Sequence, residues 1–386
     1  MANPFLWHRP VLKLGTSTLT GGTEVLSLAK LADLVEQVAA LRAAGLQPVV
    51  VSSGAVAAGR QRLNVGGDRK DVTVKQVLAA VGQSRLMHLY DQFFEFHGIT
   101  TAQVLVTRQD LAERGGYLNA RTTLLGLCER GVVPIVNEND VVASDELKLG
   151  DNDTLSALVA NLIDADVLVL VSDTPGLYTA DPATDSAARL LSEVPAITPE
   201  IEAYAGGSRS ALGTGGMFTK IAAAKLATAA GAEVHIVHGG ERDVLLRVLR
   251  GESVGTRFLA RSDALEGRKR WILSGLSRAG RLVVDSGASR ALRERNASLL
   301  PAGVTGVEGS FERGDSVEVV TEHGDLVARG MVNYSSEDLI RLSGKRSGEI
   351  EGILGYSYGN HAVHRNDLVC IPLQESETDA PHLNSA

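Results

Sequence analysis

Four polar turns hold residue types that could do chemistry. Lys13-Leu14-Gly15-Thr16-Ser17 places a lysine inside an apolar run and follows it with a glycine and hydroxyls. A buried ammonium is costly unless it reaches an anion, and the small residues beyond it offer backbone N–H groups to a phosphate. A lysine snorkelling to water from an edge strand would explain the residue without chemistry. Val51-Ser52-Ser53-Gly54-Ala55 enters a helix, where free N–H groups bind carboxylates or phosphates, or where a serine simply caps the helix. Val136-Asn137-Glu138-Asn139-Asp140 and Gly150-Asp151-Asn152-Asp153 together hold four acids and three amides. Clustered carboxylates repel, so this set calls for a substrate ammonium, a lysine or Mg²⁺, although Asp151 could also be a plain helix cap. The stretch from Gly213 to Lys220, GTGGMFTK, is a glycine-rich loop ending in lysine at a helix start. Such a loop can approach phosphates closely while the lysine neutralises their charge; a flexible connection is the bland reading.

The first three turns adjoin apolar runs at 11–14, 48–51 and 132–136, with further runs at 102–106, 167–171 and 234–237. Continuous β-branched runs suit strands buried on both faces, and they alternate with helical spacing at 24–44, 154–162 and 221–230. The pattern is α/β: a three-layer αβα sandwich with a mainly parallel sheet, which binds ligands at the carboxyl ends of its strands. From about residue 280 the texture changes to short strands at 281–285, 303–307, 316–320 and 326–332, split by turns such as Arg313-Gly314-Asp315. The division expected is an α/β domain at 1–262, a linker at 263–279 containing Arg268-Lys269-Arg270, a small β-rich domain at 280–368 and a polar, disordered tail at 369–386.

A chain of 386 residues is long for one core, which agrees with two domains. Lys and Arg number 38 against 46 Asp and Glu, a net −8, which disfavours sequence-independent nucleic-acid binding. Two cysteines, Cys128 and Cys370, cannot make a disulfide framework and fit a reducing compartment. No signal-peptide pattern and no apolar stretch of membrane-spanning length is present, so the expectation is a cytoplasmic protein without membrane contact. P-loop, G-x-G-x-x-G, H-E-x-x-H and C-x-x-C signatures are absent.

The order of the motifs is more specific than any one of them. VLKLGTSTLT (11–20), VVSSGAVAAGR (50–60), KQVLAAVGQSRL (75–86), PIVNENDVVA (134–143), LGDNDTLSALVA (149–160), SDTPGLYTADP (172–182) and LGTGGMFTK (212–220) resemble the amino acid kinase family, in its glutamate-phosphorylating branch. With GRKRW (267–271) and ILGYSYGNHAVHR (353–365), the likeness covers roughly residues 9–368, and the C-terminal part resembles a PUA domain. The resemblance implies transfer of a phosphoryl group from ATP to the side-chain carboxylate of L-glutamate, the first step of proline biosynthesis. Lys13 and Lys220 match the two lysines that neutralise phosphate charge, and Asp153 matches the aspartate that organises them. Ser53, Asp140 and Asn152 fall where glutamate binds. Ser172 and Asp173, with Thr214, Gly215, Gly216, Met217, Phe218, Thr219 and Lys220, fall with Lys13 where ATP binds. Mg²⁺, inhibition by proline, a homo-oligomer (dimer or tetramer) and transient contact with the next pathway enzyme are further implications; metal ligands stay unassigned. Ser172 stands where threonine is commoner, Phe218 sits inside the nucleotide loop, and Gly359-Asn360-His361 varies the end of the small domain. An outward-turned Phe218 would be neutral.

That chemistry suits the residues. A carboxylate acceptor is ionised at neutral pH and needs no general base, and no histidine lies in the four motifs. The difficulty is bringing an anion to an anionic phosphoryl group, so positioning and charge neutralisation should carry catalysis. Asp140 then has a separate task, pairing with the substrate ammonium. An N-acetylglutamate kinase would not need that acid, and a UMP kinase would call for basic residues there; aspartate remains a rival acceptor. RNA binding through the small domain is a different class of reading, which its net charge of +2 over residues 268–365 supports poorly.

Overall fold

Strands form where aliphatic runs have no polar interruption, and in the four central ones every residue is buried. The computed structural model describes residues 4–65, 71–143, 152–205, 216–260, 280–295 and 297–371. The chain divides into two units, Met1–Gly267 and Arg268–Ala386.

In the first unit the strands are β1 (Pro10–Leu14), β2 (Val49–Ser52), β3 (Thr101–Val106), β4 (Val133–Glu138), β5 (Val167–Ser172), β6 (Glu193–Val194), β7 (Glu233–His238) and β8 (Thr256–Phe258). They make one sheet in the order β3-β4-β2-β1-β5-β7-β8-β6, parallel throughout except where β8 runs against β7. The helices are α1 (Thr16–Thr20), α2 (Leu28–Ala43), α3 (Ala55–Leu63), α4 (Val72–Glu95), α5 (Arg108–Ala112), α6 (Arg114–Glu129), α7 (Asn152–Leu162), α8 (Pro199–Ala205), α9 (Met217–Ala229) and α10 (Val244–Leu249).

Strand alternation sorts the side chains into two layers. Leu12, Leu14, Val50, Ile135 and Val169 pack with α1, α2, α3, α4 and α10. Val11, Val49, Val51, Val136 and Leu168 pack on the other face with α5 to α9. The same parity turns Lys13 toward α7 and α9, and turns Ser52 and Asn137 toward α4. Two glycines let α3 and α4 touch backbone to backbone: a Cβ on Gly59 would lie 1.9 Å from Leu78 O, and one on Gly82 would lie 1.8 Å from Ala55 O.

Two helix starts differ from the sequence expectation. The helix read as 24–44 begins at Leu28, because the Ser27 side chain accepts from Lys30 N and fixes the cap there. The helix read as 221–230 begins four residues earlier, at Met217, after an extended Gly216, so Thr219 and Lys220 stand in its first turn.

The second unit holds β9 (Gly280–Val284), α11 (Ser286–Arg295), β10 (Val304–Gly309), β11 (Ser316–Thr321), β12 (Leu326–Met331), α12 (Ser336–Leu342), α13 (Ile350–Leu354) and β13 (Leu368–Cys370). Its sheet runs β10-β9-β11-β12-β13 over a core that includes Leu282, Val319, Val327 and Tyr334. The last strand extends two residues past the expected boundary at 368. The linker expected at 263–279 and nearly all of the expected tail lie outside the described residues. Among the described residues, no helix is long and apolar enough to cross a membrane.

Candidate active site

The carboxyl ends of β1, β2, β4 and β5 meet at one edge of the sheet, where Ser53 N donates to Leu14 O at 3.0 Å and ties two of the turns together. Helix α7 starts beside this edge. Its first two residues, Asn152 and Asp153, are both buried and face different neighbours.

Asp153 is a hub. Its Oδ1 lies 2.6 Å from Lys13 Nζ, and its Oδ2 lies 3.3 Å from Lys220 Nζ and accepts from Thr219 Oγ1 at 2.7 Å. All three charged groups are nearly closed to solvent, with Lys13 6%, Asp153 2% and Lys220 5% exposed. Burial pushes the Asp153 carboxyl up, but the charges of Lys13 and Lys220 and the hydrogen bonds from Lys13 and Thr219 more than offset it, so the group sits below the usual range. Two ammonium groups around one carboxylate sum to +1. That surplus charge, at strand ends and the start of α9, suits an anion such as a phosphate.

Asn152 belongs to a neutral network. Its Nδ2 lies within hydrogen-bond distance of Ser53 Oγ (2.9 Å), Asn137 Oδ1 (3.0 Å) and Ser52 O (3.2 Å). Asn137 Oδ1 also accepts from Glu138 N at 2.9 Å, while Asn137 Nδ2 donates to Gln83 Oε1 at 2.9 Å. Ser52 Oγ pairs with Tyr90 OH at 2.8 Å. Two atoms of this network, Asn152 Oδ1 and Gln83 Nε2, are buried without a hydrogen-bond partner among the described residues.

Of the residues singled out by sequence, Lys13, Asp153, Thr219 and Lys220 are in direct contact, as are Ser53 and Asn152. Asp140 lies two residues past β4 and is not hydrogen-bonded to them; burial and then the charge of Glu138 push its carboxyl up to about 6. Ser172 Oγ donates to Asp173 Oδ1 at 3.1 Å at the end of β5, the neighbour of β1. Gly216 caps α9 and its carbonyl accepts from Thr219 Oγ1. Met217 is half-buried, and Phe218 is turned outward with 67% exposure, the neutral placement allowed for it. Thr214 and Gly215 lie outside the described residues, as does Asp151. Asn137 belongs to a turn singled out by sequence but was given no role there, and Gln83 and Tyr90 were not picked out as site residues.

The sequence that builds this charged hub and the amide-lined turn beside it matches known proteins. The amino acid kinase family model matches residues 8–238. The chain belongs to the amino acid kinase family. A PUA domain model matches residues 280–354, on the β-rich second unit. A relative from Deinococcus radiodurans named Glutamate 5-kinase is 53% identical over 363 residues, covering 94% of this chain and 100% of its own. Proteins of the same name from Herpetosiphon aurantiacus and Dehalococcoides mccartyi are 52% and 50% identical, over 94% and 96% of this chain and 98% and 100% of theirs. In this member of the amino acid kinase family, Lys13, Asp153 and Lys220 therefore lie inside the kinase region from end to end.

Proposed function

We propose that the chain transfers the γ-phosphoryl group of ATP to the side-chain carboxylate of L-glutamate, giving L-glutamyl 5-phosphate for proline biosynthesis. The observation that carries this reading is the Lys13–Asp153–Lys220 cluster, held against the Ser53–Asn152–Asn137 turn by two consecutive residues of α7. The names and high coverage of the relatives support the choice of substrate.

The acceptor carboxylate is ionised and attacks the phosphorus directly; the P–O bond to ADP breaks as the new one forms, and no proton need move. Lys13 and Lys220 offset the charge that two approaching anions bring together, and Asp153 keeps both ammonium groups in place. Thr219 ties the first turn of α9 to the same carboxylate. Ser53 and Asn152 orient the amino acid, and ionised Asp140 pairs with its ammonium. Ser172, Asp173 and residues 214–220 hold the nucleotide. Mg²⁺ supplies charge neutralisation on the phosphates. The donor set fits an ion carried mainly by the nucleotide, since Asp153 is committed to cations and, among the described residues, no three His, Cys, Asp or Glu are grouped for a metal. Proline inhibition, a dimeric or tetrameric assembly, a cytoplasmic setting and transient contact with the next enzyme, which would shield a labile acyl phosphate, belong to the same reading.

The test is ADP release from Mg²⁺-ATP with glutamate, trapping the product with hydroxylamine, with and without proline. Hydroxamate formed with glutamate and suppressed by proline is the expected outcome. Turnover with aspartate or N-acetylglutamate instead would keep the reaction type and overturn the acceptor.

A further inference from the structure

Helix α4 carries three polar side chains seven residues apart, which places them on one face two turns from each other. Each reaches a different part of the acceptor side of the site. Gln76 Nε2 donates to Ala143 O at 3.4 Å, beyond Asp140. Gln83 Oε1 accepts from Asn137 Nδ2 at 2.9 Å, and Tyr90 pairs with Ser52 at 2.8 Å. The backbone contacts at Gly59 and Gly82 fix where this face lies, and Gly82 is the residue before Gln83.

We propose that Gln83 is a positioning residue for the amino-acid acceptor, acting through Asn137 on Asn152 and Ser53. The inference rests on the acceptor reading given above. Asn137 Oδ1 accepts from two donors, Asn152 Nδ2 and Glu138 N, so its amide can be oriented in only one way without setting donor against donor. Its Nδ2 must then find an acceptor on the α4 side, and Gln83 Oε1 is that acceptor. Without it, Asn137 keeps a buried N–H with nothing among the described residues to receive it, and the amide gains by turning over or by drawing water into the turn. Either change removes one of the three acceptors that hold Asn152 Nδ2, the group that reaches Ser53 Oγ, and lets its amide shift. Retention of a glutamine here is otherwise expensive, because its own Nε2 is buried without a partner among the described residues, a cost an apolar side chain of similar shape would avoid.

The chain of contacts is neutral throughout and does not touch Lys13, Asp153 or Lys220. Loss of Gln83 should therefore act on amino-acid binding and spare both ATP binding and the chemical step. The experiment uses the full chain, varying glutamate and ATP separately. Gln83→Met should raise the KM for glutamate about tenfold, leave the KM for ATP unchanged and keep kcat within about threefold. Added to Asn137→Ala, it should change nothing further, because the path it acts through is already cut. An unchanged glutamate KM in Gln83→Met, or two effects that multiply in the double variant, would overturn the role. Melting temperatures check folding, and Gln83→Leu repeats the measurement with a second apolar side chain should Gln83→Met melt early. Hydroxamate formation by the unaltered chain separates the two readings. If another amino acid is the acceptor, the glutamate assignment falls, and the same cycle read on that acceptor still upholds or overturns Gln83.

Discussion

Asn152 and Asp153 are neighbours in sequence, yet they organise two regions built on opposite principles. The region around Asp153 is made of charge: three buried ionic groups whose sum is +1. The region around Asn152 is made of amides and hydroxyls, with no ionic contact in its network. Charges inside a protein act strongly but broadly, which suits the spread-out negative charge of a phosphoryl group in transfer. Neutral hydrogen bonds act weakly but directionally, which suits fixing the pose of a small amino acid. The first turn of one helix thus joins a region that sets rate to a region that sets recognition, and substitutions should separate the two.

The largest effect belongs to the hub. Asp153→Asn leaves two buried ammonium groups facing each other without a carboxylate, which should cost on the order of 3 kcal/mol of stability and lower kcat about 10³-fold. Thermal melting and steady-state turnover read the two losses. A variant that kept wild-type kcat would show that Asp153 serves the fold alone. Lys220→Ala should follow, with kcat reduced about 10²- to 10³-fold and the glutamate KM within about twofold. A rise in the glutamate KM of the same size as the fall in kcat would join the two regions that the comparison separates.

Asp140 sharpens the contrast, being the acid of the recognition region. With its carboxyl pushed up to about 6 by burial and Glu138, it is protonated in the folded chain over a range where the unfolded chain has it ionised. Its contribution to stability is present below the usual carboxylate range and lost as pH rises through about 6. Asp140→Asn should therefore stabilise the fold by roughly 2 kcal/mol at about pH 8 and by nothing near pH 4. The same substitution should raise the glutamate KM roughly 30-fold and remove an acidic limb near pH 6 from the pH profile of kcat/KM for glutamate. Denaturant titration and pH-dependent kinetics on one variant give both answers. A retained acidic limb would assign the titration to another group.

In the charged region, Lys13 was readable from sequence because it lies in an otherwise aliphatic strand, whose parity fixes which way the side chain points, whereas Asp153 and Lys220 open helices that follow polar and glycine-rich stretches. The start of α9 was not readable: Gly216 is extended while Met217 to Lys220 are helical, and a glycine-rich run is compatible with either. The amide region was harder still. Gln83 and Asn137 are 54 residues apart. Polar residues at intervals of seven on a helix look like a solvated stripe until the opposing turns are known. Nothing local in Gln76, Gln83 or Tyr90 says that their face points inward across the strand ends.

Tyr90→Phe gives the smallest effect and the finest test of the comparison. The Tyr90 ring is buried against Phe94, and the substitution keeps it while removing one hydroxyl. Ser52 Oγ retains a second contact, to Ser53 O at 2.9 Å, so the serine can keep its hydrogen donated when Tyr90 OH is gone. The expected loss is about 1 kcal/mol of stability with the glutamate KM changed by no more than about twofold. Gln83 differs in this respect, because Asn137 Nδ2 has no such second acceptor among the described residues and the amide it belongs to is shared with Asn152. If Tyr90→Phe raised the glutamate KM as much as Gln83→Met, the whole α4 face would be transmitting strain to the turn. The specific path through Asn137 would then give way to a general dependence on where that helix lies.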